Sequence, residues 1–226
     1  MQKRIIKSLR PERAGNAKSH LLDILYDKMS LSRSRWFYNR NFHEKQSFAI
    51  QEGCCLNNDT LSIVQEANKI VKLCGTRDPY RIADQLGIGI LHCNFQTQKG
   101  AYKVFLRNRF IFLNNSLPPA MERIVLWHEL GHDTLHREAA IEAGGFQEFS
   151  LFNMTGLRME YEANVFAAQG TLDDDAFLEL CRQGFDIQQI ACSLDSDTNL
   201  AALKADIMIL QGFELRQQEH NSRFLK

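Results

Sequence analysis

The residues best suited to chemistry in this chain are His128, Glu129 and His132, within the stretch His128-Glu129-Leu130-Gly131-His132. On a helix each residue turns about 100°, so four residues bring the second imidazole to within about 40° of the first, one turn along. Two neutral imidazoles at that spacing can hold one divalent ion from one face. Glu129 then lies beside the ion, where a carboxylate can take a proton from water. H-E-x-x-H on a helix is the pattern of a zinc hydrolase. The plainer alternative, an amphipathic helix with two surface histidines, needs no third donor.

The chain offers several candidates for that third donor. His136 continues the four-residue series, but it lies about 12 Å along the axis from His128, too far to share an ion. It reads instead as a helix C-terminal residue that supports the ligands from behind. A histidine-only set needs a histidine ten residues after the first, and that position holds Glu138. The better candidate lies 28 residues beyond His132, in Met159-Glu160-Tyr161-Glu162-Ala163-Asn164-Val165-Phe166-Ala167-Ala168. Glu160 and Asn164 share one face of a second helix, leaving Val165, Phe166 and Ala168 to pack on the first. Glu160 would complete a His₂Glu set, and Asn164 would accept a hydrogen bond from a ligand histidine. Glu162 competes for the third place. It points about 200° away from Glu160, so only one of the two can face the ion, and the register with Asn164 favours Glu160. Tyr161 and His136 are the residues to test as donors to a developing oxyanion.

These side chains need elements to position them. Residues 119–136 read as one helix, opened by Pro118 and Pro119, with Met121, Ile124, Val125, Leu126, Trp127, Leu130 and Leu135 at helical spacings. A mid-helix glycine costs about 1 kcal/mol relative to alanine, so Gly131 implies that another segment packs close there. Upstream, 88–93, 101–106 and 109–113 read as three short strands, with a turn at Arg107-Asn108. A helix from Asp59 or Thr60 to Leu73 and a shorter one over 79–86 precede them. Arg81 to Gly87 resembles the first helix of a helix-turn-helix, but a strand pattern follows where the recognition helix should be. The interval 139–156 reads as a loop bordering the substrate cleft, with Gly144-Gly145, Phe146, Phe149 and Phe152. Helices at 173–182, 187–193 and 198–211 close the chain. The fold class is α+β, with a small sheet of about three strands, an active-site helix and a helical C-terminal part.

Charge divides the chain. Residues 1–50 hold 11 Lys/Arg against 4 Asp/Glu, whereas the remainder holds 16 against 23. The acidic part is poorly suited to DNA. The basic part interleaves Arg33, Arg35 and Arg40 with Trp36, Phe37, Tyr38 and Phe42, a mixture that can bind nucleic acid, although a self-docked extension without a ligand is the simpler expectation. No apolar run approaches 18 residues, so no membrane span is expected. Nor does an apolar core follow the basic N-terminus, as a secretory signal requires. The six cysteines (54, 55, 74, 93, 181 and 192) lack C-x-x-C spacing, which argues against a zinc ribbon and fits reduced thiols.

HELGH followed by His136, then E-x-E-A-N-x-F-A-A over residues 160–168, resembles the ImmA/IrrE-type metallopeptidases, from about Leu61 to the C-terminus. The closing stretch, Asn199 to Lys204 and on through Phe224-Leu225-Lys226, is similar to the end of many mobile-element members. After Ala168 the chain departs from the family pattern: Gln169-Gly170-Thr171-Leu172 stand where large apolar residues and a proline are common. The resemblance implies a zincin-like metallopeptidase domain over 58–170. A basic extension over 1–57 would precede it, and a C-terminal helical region over 171–226 would pack on the same unit. It also implies a cytoplasmic endopeptidase with one Zn²⁺ per chain, ligated by His128, His132 and Glu160, and with Glu129 as general base. Its substrate would be a helix-turn-helix repressor of a phage or integrative element. The alternative is a metal-binding regulator that binds its partner without proteolysis.

Overall fold

The computed structural model describes residues 55–96, 98–142 and 154–215. The basic N-terminal segment, with its nucleic-acid reading, lies outside the described residues up to position 54. Helix α1 spans Cys55–Cys74 and α2 Pro79–Gln85, and three strands follow: β1 Ile88–Cys93, β2 Gly100–Phe105 and β3 Asn108–Asn114. Then come α3 Pro119–Leu135, α4 Arg137–Glu142, α5 Met154–Thr171, α6 Asp174–Arg182, α7 Ile187–Ser193 and α8 Thr198–Leu210. This is the expected α+β class, with a three-stranded sheet and a helical C-terminal part.

Local signals set most boundaries. Asp78 accepts from the Tyr80 N–H and caps α2, Asp173 caps α6, and Asp186 forms a capping box with Gln189 on α7. Three expectations shift. Helix α1 begins at Cys55, ahead of the proposed cap, so Asp59 lies inside the helix, with its carboxylate 2.8 Å from Arg158 on α5. Leu106 leaves the strand: Leu106 and Arg107 both have positive φ (47° and 63°), as a two-residue hairpin turn requires, so Phe105 pairs with Asn108. Residues 139–142 belong to α4 and 154–156 to α5, while the glycine- and phenylalanine-bearing 143–153 lie outside the described residues.

In the sheet the order is β1-β3-β2, with β1 parallel to β3 (Ile88 opposite Arg109) and β2 antiparallel to it. Central β3 buries Ile111, Phe112 and Leu113, and α3 packs against β2 and β3. On its other side α3 lies along α5. The Gly131 expectation has its cause here: a Cβ at that position would stand 3.2 Å from both Ala163 Cα and Phe166 Cβ, so the bare backbone lets the two helices approach. Trp127 and Phe166 meet at a ring separation of 5.9 Å, and both are buried. Burying each such ring contributes about 1.5–3 kcal/mol.

The departure after Ala168 also has a physical account. A side chain on Gly170 would overlap the Trp127 indole. Gln169, fully buried, donates to Asn68 (2.9 Å) and Asp174 (3.1 Å) and accepts from Lys204 Nζ (2.6 Å). Arg77 caps the end of α5 at the Gln169 and Gly170 carbonyls. Polar partners hold this helix exit. Among the described residues, no helix is long and apolar enough to cross a membrane.

Candidate metal centre

Helices α3 and α5 bring three of the expected side chains together. His128 Nε2 and His132 Nε2 lie 3.0 Å apart. Glu160 reaches them from α5, with Oε2 3.3 Å from His128 Nε2 and Oε1 3.3 Å from His132 Nε2. Donor atoms about 2.0–2.1 Å from a tetrahedral zinc stand roughly 3.3 Å apart, and each of these spacings is close to that, with the two Glu160 oxygens each facing one imidazole. Glu160 Oε1 is buried and accepts no hydrogen bond, an arrangement that suits a carboxylate facing a cation. Two imidazoles and one carboxylate form a donor set that fits zinc.

Asn164 and His136 stand behind the imidazoles. The Asn164 Oδ1 is 3.0 Å from His128 Nδ1, one turn along α5 from Glu160. His136, at the C-cap of α3, places Nδ1 3.0 Å from His132 Nδ1 and Nε2 2.8 Å from Glu162 Oε2. Both its nitrogens are therefore engaged, which removes it as an oxyanion donor. Glu162 faces His136 and Arg158 rather than the triangle. Tyr161 packs partly buried against the core.

Glu129 is 3 % exposed, on the side of α3 that meets β2. Its carboxylate accepts from the Tyr102 backbone N–H. Burial pushes its pKa up to about 7; His128 opposes this, and Glu160 adds to it. A carboxyl group held near neutrality is suited to taking and returning a proton. Burial alone would raise Glu160, but the two imidazoles hold it well below the usual carboxylate range. Burial disfavours a charged His128, and the Glu160 carboxylate outweighs it, so that imidazole is raised. His132 is pushed down to about 4 by burial, against the pull of Glu160, and stays neutral as a ligand must.

Sequence reasoning did not find the seat of Glu129. A Cβ on Gly100 would stand 2.5 Å from Val125 Cγ1 and 2.9 Å from Glu129 Oε1, so the glycine makes room for the carboxylate. Its only trace in the sequence is a glycine just ahead of an apolar alternation. Asp133, next to His132, was also missed. It is 1 % exposed and accepts from Tyr102 Oη (2.7 Å), Arg109 (2.8 Å) and Arg137 (2.8 Å), which ties α3 to β2 and β3.

A helix carrying H-E-x-x-H, laid between a small mixed sheet and a second helix that contributes a glutamate, defines a zincin-like α+β domain. Residues 83–203, more than half of the chain, match the model of the IrrE N-terminal-like domain of peptidase family M78, and the chain belongs to that family. It is similar to an uncharacterised immunity region protein 2 of Bacillus phage phi105, 32% identical over 146 residues, which cover 64% of this chain and 89% of the relative.

Proposed function

We propose that this chain is a zinc-dependent endopeptidase, with His128, His132 and Glu160 holding one zinc ion and Glu129 acting as general base. The supporting observation is the convergence of the three donor groups at 3.0–3.3 Å, with a buried glutamate beside them. Among the described residues the cluster has three donors, which leaves a position for water and substrate, as catalytic sites do and closed structural sites do not. That favours catalysis over the regulator that binds without cutting.

Bound there, zinc would supply Lewis acidity, acidifying a water molecule and polarising the scissile carbonyl. The remaining work falls to side chains. His128 and His132 present Nε2 lone pairs, held in orientation by Asn164 and His136. Glu129 takes the proton of the attacking water at its carboxylate and returns it to the leaving amine nitrogen. The Tyr102 N–H and the space at Gly100 fix where that carboxylate sits.

The substrate in this reading is a DNA-binding repressor of a phage or integrative element. The name of the phage relative, an immunity region protein, supports it. Four free cysteines among the described residues suit a reducing cytoplasm.

The test compares zinc-loaded wild type with Glu129→Gln on candidate repressors. The variant should keep one zinc per chain and lose turnover by about 10²- to 10⁴-fold. Cleavage by Glu129→Gln at the wild-type rate would rule out the base. A wild type that binds zinc and repressor but yields no fragments would establish the regulator instead.

A further inference from the structure

We infer that Tyr102 is a positioning residue for Glu129: its hydroxyl, anchored on Asp133, holds β2 in register with α3, so that the space left by Gly100 stays opposite the Glu129 carboxylate. The inference rests on the reading of Glu129 as general base.

Glu129 and Asp133 are four residues apart on α3, so they share one face and stand one turn, about 6 Å, apart along the axis. Gly100 and Tyr102 are two apart on β2 and share the strand face that meets that helix, at a spacing of about 6.8 Å. The two spacings nearly match, and the residues pair off in order. A Cβ on Gly100 would stand 2.9 Å from Glu129 Oε1 and 3.3 Å from Glu129 Cγ. One step along both elements, Tyr102 Oη donates to Asp133 Oδ1 at 2.7 Å. The strand residue that must be small thus lies at the base, and the one that must reach lies a turn away.

Asp133 is a fixed anchor. Its other oxygen, Oδ2, accepts from Arg109 on β3 and from Arg137 on α4, each at 2.8 Å. Asp133 and Tyr102 are 1 % and 7 % exposed, so water does not compete for the hydroxyl. Among the described residues β2 pairs with β3 alone, and sheet pairing restrains it along one side only. The hydroxyl on Asp133 supplies the restraint against sliding along α3. A phenylalanine would fill the same space without it, and β2 would be free to shift beneath the carboxylate.

The test is Tyr102→Phe in the full chain, loaded with zinc. The ring stays, and Asp133 keeps both guanidinium partners, so the variant should fold and hold one zinc as wild type does. Its kcat on a cleaved repressor should fall about 10-fold, the loss for a carboxylate displaced by roughly 0.5 Å, with KM unchanged. In a Glu129→Gln background there is no base left to place, so Tyr102→Phe should lower the residual turnover no further. A second readout needs no turnover. The backbone N–H of residue 102 faces the Glu129 carboxylate, and in Tyr102→Phe its ¹H–¹⁵N signal should move toward the position it takes in Glu129→Gln. Wild-type kcat, an unmoved amide signal, or a further 10-fold loss in the Glu129→Gln background overturns the inference. A wild type that cuts no repressor overturns the endopeptidase reading instead, and the amide comparison then still decides whether Tyr102 places Glu129.

Discussion

Gly100→Ala tests how the base is seated. The new methyl would stand 2.5 Å from Val125 Cγ1 and 2.9 Å from Glu129 Oε1. Ordinary contacts begin near 3.5 Å, so Val125 must retreat by about 1 Å and the carboxylate by about 0.5 Å. Overpacking of this kind costs about 1–3 kcal/mol, of which about 0.5–1 kcal/mol returns because alanine loses less backbone entropy than glycine. The net loss of up to roughly 2.5 kcal/mol should lower the melting temperature by up to about 10 °C for a chain of this size. A 1 Å misplacement in an active site can cost about 100-fold, so a 0.5 Å shift of Glu129 should lower kcat by about 10-fold. Zinc content should not change, since none of the three donor residues is among the nearest neighbours of that methyl. The control is Gly89→Ala, whose methyl would meet Phe110 Cδ1 at 2.8 Å on the β1–β3 pair. It should lose comparable stability and keep its turnover. Melting curves, zinc analysis and cleavage of a repressor found to be a substrate read all three quantities. Wild-type kcat in Gly100→Ala, or an equal loss in Gly89→Ala, would refute the seating.

Asp133→Ala should lower stability by about 3 kcal/mol, because the Tyr102 hydroxyl and two guanidinium groups lose a buried acceptor. A melting point within 2 °C of wild type would show that network to be dispensable. Lys204 is fully buried, and burial lowers its pKa against the pull of Asp174. Its folded-state value therefore lies below the ordinary 10.5, and in that window the unfolded chain binds more protons. This lysine makes stability rise with pH as 10.5 is approached from below, and Lys204→Met should flatten that rise in urea melts across pH 8 to 10. Parallel wild-type and variant profiles would contradict the assignment.

The sequence alone determined what is local. The pairing of His128 with His132 follows from helix periodicity over four residues, and that of Glu160 with Asn164 from the same period on a second helix. The strands and most helix ends are legible because alternation and capping are encoded within one or two turns of chain. The choice between Glu160 and Glu162 could be leaned on but not closed, since it depends on the rotation of α5 against α3. Tertiary structure fixes that rotation through Gly131 against Ala163 and through Trp127 against Phe166. It alone decides the β1-β3-β2 order, the seat of Glu129 on Gly100 and Tyr102, and the link from Glu162 to His132. The partners of Glu129 and of Glu162 lie some 26 to 30 residues away from them, and no periodicity extends that far. Which atoms meet there is set by the packing of whole helices and strands, so the chemistry-bearing residues were readable in the sequence and their relations were not.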